Sequence, residues 1–274
     1  MKLLNYIFLL FVLMSALSVR GQHGLDKDSI DAIIKHSPAF AIYEDNYFIT
    51  GVSLHDKLSK YSSDAKFQIS IKQRLTNTPV IWGAYAYLTY TQKSFWDVYM
   101  ASSPFSENNY NPGVRLIKPI YKKNDRLLGG FSFGIEHQSN GRDSIYSRAW
   151  NFVSLEYGHS FSSKLVASLN LNLPFGMSEE NTDLMDYIGY MEARMSWTIK
   201  ENTLIFDAVG RKGAKWDTKG NIMLSVSYKP IKSRNQYIVL QWWEGYGESL
   251  IDYTKHTSML RIGIMLKPTF MRLY

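Results

Sequence analysis

Leu165-Val166-Ala167-Ser168-Leu169-Asn170-Leu171-Asn172 sets Leu165, Ala167, Leu169 and Leu171 against Ser168, Asn170 and Asn172. An extended chain points successive side chains to opposite faces, so this stretch reads as a strand with one apolar and one polar face. The same period of two recurs along the chain. Phe67, Ile69 and Ile71 alternate with Gln68, Ser70 and Lys72. Tyr187, Gly189, Met191, Ala193, Met195 and Trp197 keep one phase, and Glu192, Arg194, Ser196 and Thr198 the other. Ile222, Leu224, Val226 and Tyr228 alternate with Ser225 and Ser227, and Leu260, Ile262, Ile264 and Leu266 with Arg261 and Lys267.

Many of these stretches reach about ten residues, the length a tilted strand needs to cross a bilayer. The polar phases carry Glu192, Arg194, Asp207, Glu244 and Arg261, which suit a hydrated or salt-bridged lumen. Tyr85, Tyr87, Tyr90, Trp96, Tyr99, Trp242 and Trp243 fall near strand ends, as interfacial girdles do. Strands are expected to begin near residues 66, 79, 94, 114, 127, 149, 164, 186, 202, 220, 236 and 257. That set is even in number, as bacterial single-chain barrels require. The expected fold is all-β, a twelve-stranded antiparallel transmembrane β-barrel of the bacterial outer-membrane type. A soluble, lipocalin-like closed barrel is the alternative.

Composition agrees. The 31 basic and 24 acidic residues give a formal charge of +7, but they are scattered, so no nucleic-acid partner is expected. Aromatic content of 15% excludes a disordered chain. With no Cys, thiolate catalysis, disulfides and Cys-based zinc sites are excluded. Lys2 followed by the nearly continuous apolar run Leu3 to Leu17 has the shape of a secretory signal peptide, with cleavage after Ser18 or after Gly21. The chain thus divides into a signal peptide at 1–21, a periplasmic N-terminal segment at 22–65 and the barrel at 66–274. Tyr274 supplies an aromatic terminus like those of many outer-membrane proteins.

Gly130-Phe131-Ser132-Phe133-Gly134 matches the GxSxG nucleophile elbow. That motif needs a strand-to-helix turn, and here it sits inside an alternating strand with Ser132 on the lumen side. It is a strand serine between small residues. The stretch after it carries more. Phe131, Phe133 and Ile135 form an apolar face, and His137 and Ser139 continue in the same phase; Asn151 stands in phase with Val153, Leu155 and Tyr157. Polar groups on a lipid-facing wall are costly unless paired or used. Ser, His and an orienting amide on adjacent strands allow triad chemistry, and a serine facing outward acts only on something in the membrane plane. That substrate class is lipid.

His137-Gln138-Ser139-Asn140-Gly141-Arg142, followed by Ser147-Arg148-Ala149-Trp150-Asn151, resembles the active-site segment of the outer membrane phospholipase A family. Three further stretches resemble it in the same order: Tyr90 to Trp96, Ser102 to Tyr110, and Gly245 to Tyr253. The resemblance implies a twelve-stranded outer-membrane barrel that hydrolyses phospholipid acyl esters (A1, A2 and lysophospholipase type) with calcium, as a homodimer. It makes Ser139 the nucleophile, His137 the general base, Asn151 the orienting residue and the Gly141 amide an oxyanion donor. It places calcium on Arg142, Ser147 and a partner's Ser102, with Ser144 and Asp183 as further positions, and a buried interface amide at Gln92. The chain departs from the family at Gln138, where many members have Asp, and at Ser144, where an acidic residue is usual. The competing function is a non-catalytic outer-membrane barrel, porin-like or adhesin-like.

Overall fold

The computed structural model describes residues 26–231 and 235–268; the signal-peptide assignment and Tyr274 lie outside them. Twelve antiparallel strands close into one barrel. After a helix, α1 (Lys27–His36), and a three-residue strand, β1 (Phe40–Ile42), come β2 (Asn46–Ser53), β3 (Ser63–Arg74), β4 (Tyr85–Trp96) and β5 (Phe105–Tyr121). β6 (Leu127–Ser139), β7 (Ala149–Ser160), β8 (Leu165–Phe175) and β9 (Met191–Lys200) follow. β10 (Leu204–Lys212), β11 (Gly220–Tyr228), β12 (Tyr237–Gly245) and β13 (Thr257–Leu266) complete the wall, and β13 closes on β2. The ring itself has no edge strand, and the three-residue β1 adds to β3 alone. No helix among the described residues is long and apolar enough to cross a membrane; the strands cross it. The connections 97–104, 140–148, 176–190 and 246–256 open at one end; 122–126, 161–164 and 201–203 turn tightly at the other, which also carries the longer connection 75–84.

The expected strand set needs four corrections, one being that the strand expected near 114 begins at Phe105. The wall begins at Asn46 rather than near 66, because β2 pairs with both β3 and β13; part of the supposed lead-in is therefore barrel. The strands expected near 79 and 94 are one strand, β4, preceded by a connection in which Trp82 and Gly83 take positive φ. The strand expected near 186 starts at Met191, and Tyr187 belongs to a short helix, α2 (Leu184–Ile188), which Gly189 ends at φ 65°. The extra strand and the missed one cancel, leaving twelve.

Alternation governs which face each residue takes. Ile69, Leu169, Val226, Leu240 and Ile262 are exposed on the outer wall, whereas Ser70, Asn170, Ser225, Gln241 and Arg261 are buried inside. Charge fills the lumen in matched groups. Arg115 is paired with Glu136 and Glu156 and donates to Ser132 Oγ at 2.9 Å, so the GxSxG serine is a lumen acceptor. Lys66 and Arg261 both bind Glu248, which the 246–256 connection lowers into the barrel, at 2.8 and 2.6 Å. Such pairs hold one another in place: deleting one partner strands a buried charge, at about 3–5 kcal/mol.

Three girdle residues and one lumen charge are also reassigned. Tyr85 and Tyr87 face inward because α1 packs there, with Ile30 and Ile34 against Tyr85, Tyr87, Ile117 and Leu127. Asp26 caps that helix by accepting from Ser29 N at 2.8 Å, and the Arg74 guanidinium donates to its final carbonyls. Trp243 is buried in the lumen phase. Glu244 consequently falls in the outer phase of β12 with Ile238, Leu240 and Trp242, at the rim beyond the apolar wall.

Candidate active site

The neighbouring ends of β6 and β7 bring the outward polar residues together. Register sets His137 opposite Asn151 and Ser139 opposite Ala149. His137 Nδ1 and Asn151 Oδ1 lie 2.9 Å apart. The orientation of the amide is set from behind, because Asn151 Nδ2 donates to Gly176 O at 3.2 Å. With Nδ2 so engaged, Oδ1 faces the imidazole and accepts from a protonated Nδ1. That tautomer leaves Nε2 with its lone pair free, the form a general base needs. Gly176 has φ 56°, and a Cβ there would come within 2.9 Å of Asn151 Nδ2, so a larger residue would press on the amide that faces His137. Ser139 follows His137 by one alternation on the same face. All three side chains are half-buried on the outer wall.

The lumen side of β6 is clamped on both sides of His137. Glu136 binds Arg115 and accepts from Ser154 Oγ at 2.8 Å. Gln138, where the family pattern has Asp, accepts from Trp150 Nε1 at 2.8 Å, and the buried Trp150 ring stacks on Phe152 at 4.1 Å. The departure at Gln138 is therefore a lumen contact, remote in direction from the outward-facing His137, Ser139 and Asn151.

β5 supports the site from its other flank. Pro112 falls between the pairs Tyr110↔Ser139 and Gly113↔Glu136, opposite His137. Proline has no N–H to give the ladder. The side chain of Asn111 takes its place, Nδ2 donating to His137 O at 2.8 Å.

The connection 140–148 is built around buried Asn140. Its Oδ1 accepts from Arg148 N at 3.0 Å and Arg142 N at 3.3 Å, and its Nδ2 donates to Tyr146 O at 2.8 Å. Gly141 has φ 67°, and a Cβ there would lie 2.9 Å from the Tyr110 ring. Arg142 turns its guanidinium to the start of β5, donating to Ser106 O and pairing with buried Glu107 at 3.3 Å. Ser144 (φ 52°) and Ser147 lie on this same connection. Ser102 lies on another, the β4–β5 connection. Asp183, at the start of α2, accepts the Tyr253 hydroxyl and so ties the 176–190 and 246–256 connections together. Burial, then the hydrogen bond and charge of Asp183, push the Tyr253 pKa upward.

Gln92 lies on the outer phase of β4. Its Oε1 accepts from Tyr90 Oη at 3.0 Å, and its Nε2 donates to Ser94 Oγ at 3.1 Å. An outer-wall groove of 510 Å³ runs from Phe40 past Leu88, Pro112, Val114 and Ile135 to His137 and Asn151. Sequence reading missed Asn111, Asn140 and Gly176. The Asn-Pro pair inside a strand was the available signal for the first.

A family model described as Phospholipase A1 matches residues 28–266. Phospholipase A1 of Salmonella typhimurium is 30% identical over 252 residues, 86% of this chain and 85% of that protein. Phospholipase A1 of Escherichia coli K12 is 28% identical over 290 residues, 96% of this chain and 98% of that one. The solved dimer of Salmonella typhi outer membrane phospholipase with bound calcium matches with TM-score 0.76 and 26% identity, over 90% of this chain and 100% of that one. An active-site mutant of Escherichia coli outer membrane phospholipase A, asparagine replaced by alanine, matches with TM-score 0.74 and 27% identity, over 88% and 98%.

Proposed function

This chain belongs to the Phospholipase A1 family, and on that premise we propose that it is a calcium-dependent hydrolase of phospholipid acyl esters, of A1, A2 and lysophospholipase type, working from the outer wall of an outer-membrane barrel. The observation that carries the reading is the 2.9 Å contact of His137 Nδ1 with Asn151 Oδ1, backed by Gly176 O. His137 Nε2 takes the proton of Ser139 as its oxygen attacks the ester carbonyl. The Gly141 N–H donates to the developing oxyanion. Collapse breaks the ester C–O bond, and imidazolium returns its proton to the leaving alkoxide. Water, deprotonated in turn by His137, releases the fatty acid and restores Ser139.

The residues near Ser139 fit calcium. The Arg142 carbonyl and the Ser144 and Ser147 hydroxyls are all oxygen donors, the hard set this ion takes. The Arg142 guanidinium, drawn off to Glu107, carries its positive charge away from them. We assign the ion to Arg142 and Ser147, with Ser144 beside them and the partner subunit's Ser102 completing the set in a homodimer. Bound there, calcium supplies positive charge and polarised water at the oxyanion. Asp183, engaged with Tyr253, we assign to tethering the connections rather than to the ion. Gln92 and the groove beside His137 form the face that pairs with a second copy and lays an acyl chain along it.

Detergent-refolded protein is expected to release fatty acid from phosphatidylcholine mixed micelles in calcium. A folded barrel that releases none returns the chain to the non-catalytic alternative. Within this reading, Asn111 is a positioning residue for His137. Asn111→Ala is expected to lower kcat about tenfold, the worth of one hydrogen bond of about 1–1.5 kcal/mol, with KM little changed. An unchanged kcat would remove Asn111 from the machinery.

A further inference from the structure

On the opposite side of the strand ring from His137, three ligand side chains converge at the long-loop rim. His55 follows β2, Glu244 is the penultimate residue of β12 and lies in its outer phase, and His256 immediately precedes β13. His256 Nε2 lies 3.2 Å from Glu244 Oε1, and His55 Nε2 lies 4.0 Å from the same oxygen. One ligand atom from each of the three falls within 4.8 Å of the others. Among the described residues, no other group of three His, Asp or Glu side chains is so arranged.

The backbone beneath them is fixed. Glu244 pairs with Ser258 in the β12–β13 ladder, and Met259 with Ser53 in the β13–β2 ladder. Leu54 N donates to Ser258 O at 2.9 Å, which lays the start of the 54–62 connection over β13. Ser53 Oγ accepts from His55 N and donates to Asp56 Oδ2 at 2.7 Å, a turn that sets where His55 leaves the strand. The His256 ring stands edge-on to Tyr246 at 5.2 Å and stacks with the His55 ring at 5.4 Å, 25° between planes. The neighbouring cation, Lys255, is drawn aside by Asp252 at 2.7 Å.

We propose that His55, Glu244 and His256 form a binding site for a divalent transition-metal ion of the zinc class, separate from the calcium ligands beside Ser139. On tetrahedral zinc with bonds of about 2.0–2.1 Å, ligand atoms stand about 3.3 Å apart. The His256–Glu244 pair already has that spacing, and His55, an exposed side chain turning on a fixed backbone, has to approach Glu244 by less than 1 Å and close on His256 from within 4.8 Å. Two imidazoles and a carboxylate select against calcium and magnesium, which take oxygen shells, and for ions that bind nitrogen well. Three protein ligands leave a fourth position to water. The bound ion cross-links the 54–62 connection to the β12–β13 hairpin, two segments joined in this region mainly by backbone hydrogen bonds.

The test is titration calorimetry of the full-length barrel, folded in detergent and stripped with chelator, using zinc chloride in the presence of millimolar calcium. Wild type is expected to bind one equivalent at micromolar or tighter affinity. His55→Asn and His256→Asn are each expected to weaken that binding by about tenfold or more, with heat-modifiable migration showing that both barrels remain folded. Cobalt in place of zinc is expected to give visible absorption bands that fade in both variants. Absence of a stoichiometric zinc site in wild type, displacement by calcium, or wild-type affinity in both folded variants overturns the assignment.

Discussion

Ser139→Ala is expected to abolish phospholipid hydrolysis, by about 10⁴-fold or more, while the protein keeps its heat-modifiable migration. The size of the effect follows from the chemistry: alanine offers no oxygen to attack the ester, and within β6 and β7 the other serines, Ser132, Ser154 and Ser160, take the opposite phase from His137 and Asn151. The stability cost is small, since the Ser139 hydroxyl faces outward and the lumen contacts of β6 run through Glu136 and Gln138. His137→Ala is expected to fall nearly as far. Asn151→Ala is expected to lose less, because its neutral amide selects a tautomer and an orientation without stabilising imidazolium by charge. The series is read as kcat on one substrate in saturating calcium. Substantial turnover by Ser139→Ala relocates the nucleophile, and equal losses at His137 and Asn151 remove the hierarchy.

Removal of calcium is expected to silence the wild type and to dissociate it. If the ion is shared between subunits, it binds the dimer better than the monomer, and linkage then requires that it strengthen dimerisation by the same factor. A thousandfold excess over the dissociation constant corresponds to about 4 kcal/mol. In detergent, sedimentation is therefore expected to move from monomer to dimer as calcium is added, with hydrolysis following the dimer fraction. Ser102→Ala is expected to shift both curves to higher calcium together. A monomer fully active in calcium, or a dimer fully active in chelator, refutes the shared site and leaves the Ser139 prediction standing.

The twelve-stranded wall was legible because most strands keep apolar and polar residues on separate faces. It became illegible where both faces are apolar. In β2, Tyr47 and Ile49 are buried inside while Phe48 is exposed outside, so the segment reads as an aromatic patch without a period. The start of β4 fails similarly: Tyr85 and Tyr87 point inward onto α1, and Leu88 points out. Glu244 misled for a different reason, since a charge in a strand signals lumen only below the rim. The proposed catalytic residues drew notice because His137, Ser139 and Asn151 interrupt an apolar phase. Gly176 could not be read, as it acts through its own backbone carbonyl across 25 residues, and of Asn111 only the Asn-Pro pair gave a sign, its partner carbonyl lying 26 residues away.

The position of the His137–Asn151 pair on the outer wall, at the long-loop end, decides how a substrate reaches it. An enzyme with its catalytic residues inside a water-filled cavity must draw a lipid out of the bilayer, at about 0.8 kcal/mol for each methylene exposed. For a dozen methylenes that is about 10 kcal/mol, enough to slow encounter by several powers of ten. Residues that face the hydrocarbon meet the ester by sideways diffusion, with the acyl chains still in an apolar medium. The relevant concentration is then a density per unit area of the outer leaflet. A leaflet with few phospholipids starves such a protein however much lipid the cell contains, and any disturbance that carries phospholipid outward feeds it.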